Sequence, residues 1–158
     1  MTRLQSNQRM WLRLFVVLIL LLIVCIPIMY FAGPMRLSIL VFLIGNMGGY
    51  VSAHRGLAKL SDTELEELSS TWPAFVLPPF IGGILSLVLY LLFLSNILAG
   101  EMFPRFESDP IVPIGLDSLF AHHAVGAANY AKLFFWSFVA GFNQKSVIDV
   151  VHAVQRHV

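Results

Sequence analysis

Long apolar stretches with almost no charge decide what this chain can become. Leu14 to Phe31 is unbroken for eighteen residues. As a helix it rises roughly 27 Å, close to the ~30 Å hydrocarbon core of a bilayer. Further runs follow at Leu37–Ala53 and from Ala74 to about Leu98, with a shorter one at Leu133–Phe142. Charged residues are 12% of the 158, apolar ones 58%, and the mean hydropathy is +0.79. Soluble domains carry about 25% charge, and a soluble fold could not hide runs of this length. The pattern predicts an all-α integral membrane protein, a four-helix bundle forming one domain over 1–158. Its spans are expected at 14–31, 37–53, 74–98 and 131–145, followed by a cytoplasmic amphipathic helical extension.

The ends of the runs carry the expected punctuation. Trp11 and Tyr30 bracket the first span as interfacial aromatics, and Pro27 predicts a kink in its last turns. A cleavable signal peptide would have a shorter apolar core and a small-x-small pattern, which is absent around Ala32. Ala32-Gly33-Pro34-Met35-Arg36 reads as a tight turn, with Arg36 reaching to the headgroups. Pro73, Pro78 and Pro79 stand in or near the first turns of the third span, where proline is best tolerated. Cys25 is the single cysteine, so no disulfide forms within the chain. It reads as a small apolar residue of the first span.

Small residues recur at helical spacing. Gly45 and Gly49 share a face of the second span, continued by Ser52 and Ala53, with Asn46 beside them. Gly82, Gly83 and Ser86 form a similar face on the third, and Ser137 and Gly141 on the fourth. Such faces let helix backbones approach closely, and packing drives helix association in lipid. These residues are read as helix-packing sites, within one subunit or between subunits. The alternative at Asn46 is a backbone site for an ion or ligand.

The polar segments lie between and after the spans. In the loop 54–72, Ser61 and Glu64 form a capping box, and Asp62, Glu64, Glu66 and Glu67 crowd the first turn. Leu65 and Leu68 share this short helix. Segment 101–130 is broken early by Pro104, Pro110 and Pro113, and Asp117 is expected to cap a short helix over Leu119–Val125. Lys and Arg counts orient the bundle. With both termini in the cytoplasm, Arg3, Arg9, Arg13, Arg55, Lys59, Lys145 and Arg156 lie inside, against Arg36, Arg105 and Lys132 outside. Segment 101–130 is then periplasmic and the tail 146–158 cytoplasmic.

Several function classes find little support. Adjacent His122 and His123 point about 100° apart on a helix and chelate one metal poorly. No phosphate loop, GxSxG or HExxH pattern occurs, and the span interiors hold no ionisable residue for a proton relay. Basic residues are too few and scattered for a nucleic-acid surface. No cofactor or metal site is expected.

The last helix is the most informative stretch. It is expected to run unbroken from an N-cap at Asn129 through the membrane and on to the tail, with Lys132 and Lys145 bracketing the crossing. On its tail Lys145, Asp149, His152, Gln155 and Arg156 face one side, and Val147, Val150, Val151, Val154 and Val158 the other. Three readings follow. The valine stripe lies on the membrane surface or on the Leu65/Leu68 loop helix, or it docks an oligomer copy or partner, or symmetric copies turn Ser137, Gly141 and Lys145 inward to line a pore.

Phe135-Trp136-Ser137-Phe138-Val139-Ala140-Gly141-Phe142, followed by Val147-Ile148-Asp149, resembles the final helix of small four-span bacterial inner-membrane proteins. In those the Gly-Phe is followed by Ser-Glu, where this chain has Asn143-Gln144. The similarity spans about a tenth of the chain and implies no activity. The four-span outline is also similar to membrane subunits of bacterial anti-phage systems. The expected function is therefore non-enzymatic. The chain is read as an oligomeric subunit of the bacterial inner membrane that anchors, or signals to, a cytosolic protein, in an anti-phage or stress system. Glu64, Leu65, Glu67, Leu68, Val147, Val151 and Val154 would form its docking surface. A small oligomeric channel is the alternative, and an integral-membrane enzyme comes third.

Overall fold

Most of the chain is helical. The computed structural model describes residues 3–57, 73–108 and 122–143. Helix α1 spans Arg3–Phe31 and continues through Pro27. A single 3-10 turn, Gly33–Met35, reverses the chain into α2, Arg36–Leu57. Gly33 has φ +51°, a left-handed value that glycine adopts without a Cβ penalty. The turn is tied by Met35 N–H to Ala32 O at 3.0 Å, and the Arg36 guanidinium donates to Tyr30 O at 3.2 Å. Helix α3 covers Pro73–Leu94 and α4 covers Gly126–Phe142. Between them, β1 (Phe106–Ser108) pairs antiparallel with β2 (His122–Ala124).

Two of these helices, over Arg36–Gly56 and Val76–Leu94, are long and apolar enough to cross a membrane. The apolar part of α1, Phe15–Phe31, and the 17-residue α4 are shorter. Seventeen residues rise about 25 Å.

Helix α2 is the central element. It packs against α3 and α4, which also pack on each other, while α1 lies against α2 and touches α3 less. The interior is built from Val41 of α2, Tyr90 and Phe93 of α3 and Leu133 of α4. The Tyr90 hydroxyl finds a partner in the Ser38 side chain, as a buried phenol requires. Above this layer Phe103 stacks between Phe93 and Trp136, with ring centroids 5.6 and 5.4 Å away. Trp136 Nε1 donates to Met102 O at 3.0 Å, which fastens the chain after α3 to α4.

Beside this apolar interior Asn46, Ser86 and Ser137 are also buried. The outward face of α3 is a row of Leu77, Phe80, Ile84, Val88 and Leu91, spaced three or four apart and all exposed. Helix α1 likewise exposes Phe15, Leu20, Ile23 and Val24. Apolar faces of this extent suit contact with lipid or with another protein surface.

Four expectations change. The run to Leu98 stops as a helix at Leu94, in a Schellman turn. Asn96 takes φ +59°, its N–H donates to Phe93 O at 3.0 Å, and Ile97 N–H donates to Leu92 O at 3.1 Å. Asparagine tolerates this left-handed position and so ends the helix within an apolar sequence. The short helix expected over Leu119–Val125 is replaced, in its described part, by strand β2. Its register pairs Phe106 with Ala124, Glu107 with His123 and Ser108 with His122. The ladder gives His122–Ala124 non-local hydrogen-bond partners that no local pattern announces. Helix α4 starts at Gly126 with Val125 at the N-cap, so Asn129 is not the cap. It also ends at Phe142, where Asn143 leaves helical geometry (φ −101°, ψ 41°), so the single unbroken helix is interrupted there.

Candidate functional site

The helices meet most closely where their small residues coincide. A Cβ on Gly45 would sit 2.0 Å from Ser86 Oγ and 2.6 Å from Gly82 O. A Cβ on Gly141 would sit 2.0 Å from Gly45 O. One on Gly48 would meet Phe138 O at 2.2 Å and Phe142 N at 2.8 Å. Three backbones therefore touch at one level, and only hydrogen fits between them.

Hydroxyls stitch this crossing. Ser86 Oγ lies 2.6 Å from Ser137 O and 2.9 Å from Gly82 O, so its one proton serves a carbonyl of α4 or of its own helix. Ser137 Oγ donates to Leu133 O at 2.7 Å. Asn46 Nδ2 donates to Phe42 O at 2.8 Å and occupies the space left open at Gly83, while Asn46 Oδ1 is buried without a partner among the described residues. The Arg55 guanidinium stands 5.2 Å from the centre of the Phe142 ring. It places a cation at the carbonyl end of α4, where the helix dipole favours one.

The sequence-derived residues fall as follows. Gly45, Gly82, Gly83, Ser137 and Gly141 converge on the crossing, and Gly49 is buried on α2. The residue that completes the seam toward α4 is Gly48, which the i, i+4 search passed over. Its i, i+3 spacing from Gly45 is the signal that would have found it. Of the pore-lining candidates, Ser137 is 1% exposed within the chain and Gly141 abuts Gly45. Lys145, the third pore candidate, lies outside the described residues. So do the docking candidates Glu64, Leu65, Glu67, Leu68, Val147, Val151 and Val154.

A second polar cluster stands beyond the end of α3. Asn96, Pro104, Arg105, Glu107, Val125 and Asn129 line a cavity of about 550 Å³. Asn129 organises it, accepting from Arg105 N–H at 3.1 Å and donating to Val125 O at 2.6 Å. Lys132 Nζ is held outside by the Glu101 carbonyl. Among the described residues no three of His, Cys, Asp and Glu gather into a metal-binding group. Compared with protein-family models, curated proteins and solved structures, the chain matches none.

Proposed function

We propose that the chain is a non-enzymatic, four-span subunit of a bacterial inner membrane that anchors or signals to a cytosolic protein. The observation that carries this reading is the apolar outer surface of the bundle. Its outer faces are rows of exposed Leu, Ile, Val and Phe, and its buried serine hydroxyls are bonded to helix carbonyls. A core of this kind supports a scaffold, because it leaves no reactive group facing a passage among the described residues. With α2 and α3 as full crossings, α1 and α4 complete four spans by the Lys/Arg balance of seven to three, with both termini inside. The acidic cluster Asp62–Glu67 and the Val147/Val151/Val154 stripe then share the cytoplasmic side. They form the docking surface, and the remaining apolar faces serve lipid contact and self-association.

The test places a photo-crosslinking side chain at position 65 or 151 in cells. Both positions should capture the same cytosolic protein, and deletion of 146–158 should abolish capture while the chain stays in membranes after alkaline carbonate extraction. Capture that survives the deletion sinks the docking assignment. Release of the intact chain by carbonate sinks the membrane one.

A further inference from the structure

The cavity beyond α3 has the composition of a zwitterion site. Its volume, about 550 Å³, is within the range of small-molecule sites. Arg105 and Glu107 flank Phe106, whose ring turns inward to Tyr90 with centroids 5.7 Å apart. Arg105, Phe106 and Glu107 all line the cavity, so a cation and an anion stand two residues apart on it. Both are exposed, and neither has an ion-pair partner among the described residues. Asn129 is pinned by its two hydrogen bonds and keeps one Nδ2 hydrogen to offer. Asn96, whose backbone is held in the left-handed turn, lines the same cavity. Close by in the chain stand Ile97 and Met102, 68% and 72% exposed. Their exposed apolar side chains offer a surface that an acyl chain could follow.

We propose that this cavity binds the headgroup of a phosphoethanolamine lipid. The phosphate sits against Arg105 and the Asn96 and Asn129 amides, the ammonium against Glu107, and the acyl chains leave over Ile97 and Met102. The assignment rests on the membrane reading above, which places the end of α3 at the bilayer interface.

The full chain, purified in detergent, is exposed to phosphatidylethanolamine, phosphatidylglycerol or free phosphoethanolamine, and retention is read by native mass spectrometry. Wild type should hold phosphatidylethanolamine about tenfold better than phosphatidylglycerol, the factor for one charge-assisted hydrogen bond. Glu107→Gln should erase that preference and keep phosphatidylglycerol binding, whereas Arg105→Gln should weaken both lipids about tenfold. Both side chains are exposed, so the melting temperature should not move. Equal retention of the two lipids by wild type, or an unchanged preference in Glu107→Gln, overturns the site. Free phosphoethanolamine binding as tightly as the lipid reassigns the cavity to a soluble zwitterion and overturns the lipid source. Carbonate extraction keeps the two failures apart. A chain that stays in the membrane without lipid preference loses only this site, and a chain that leaves the membrane loses the reading beneath it.

Discussion

Gly141→Ala is the sharpest probe of the three-helix crossing. The new methyl would lie 2.0 Å from Gly45 O, 2.8 Å from Gly45 C and 3.0 Å from Gly45 Cα. Ordinary contact begins at 3.4 Å, so along the first line α4 must withdraw from α2 by about 1.4 Å, the difference between 3.4 and 2.0. The obstructing atoms are backbone and cannot rotate aside. Overpacking costs about 1–3 kcal/mol, and the upper part of that range applies here. Exchanging glycine for alanine in a helix returns up to about 1 kcal/mol, leaving a net loss of about 1–2 kcal/mol. Gly56→Ala is the matched control, because a Cβ there meets nothing within 4 Å. It should be neutral or stabilise by up to about 1 kcal/mol. Equilibrium unfolding in mixed micelles reads both, with Trp136 fluorescence as the signal because that ring packs on Phe103. The two substitutions should move the midpoint in opposite directions. A Gly141→Ala protein as stable as wild type would refute the claim that α2 and α4 touch through their backbones.

Two further outcomes follow from the same geometry. Ser86→Ala removes the hydroxyl that reaches Ser137 O at 2.6 Å. It should cost about 0.6–1.7 kcal/mol, the range for hydrogen bonds between membrane helices, and the loss should shrink when Gly45 already carries alanine, because the 2.0 Å clash with Ser86 Oγ is then gone. A double-mutant cycle in mixed micelles measures that coupling. At the end of α3, Asn96→Gly should be neutral or slightly stabilising, whereas Asn96→Val should lose about 1–2 kcal/mol, since φ +59° is hostile to a β-branched side chain. The midpoints of the two variants decide it, and equal midpoints would exclude a conformational cost at this turn.

The elements were legible wherever one local property dominates. Apolar run length located α1, α2 and α3, and Gly33-Pro34 located the reversal between α1 and α2. The end of α3 was missed because Ser95–Leu98 continues the hydropathy of the helix, while a backbone torsion at Asn96 ends it. Strand β2 was missed because its pairing partner lies fourteen or more residues earlier in the chain, and three-residue strands carry no periodicity to detect. The cavity beyond α3 left no motif at all. Arg105, Glu107, Asn96 and Asn129 become neighbours only when the ribbon folds back over the start of α4.

By itself the sequence determined the solvent for which the helices are built and the presence of a small-residue face on each of α2, α3 and α4, because transfer free energy and helical spacing are local quantities. Which faces meet was decided by the tertiary structure. A helix rotated by one residue turns its contact face about 100°, so Gly45/Gly49 and Gly45/Gly48 are indistinguishable until a partner arrives. The partner chose Gly48, because Phe138 O and Phe142 N of α4 come within reach there. That same contact sets Ser137 and Gly141 against neighbouring helices of the chain, a placement that helical spacing alone leaves open.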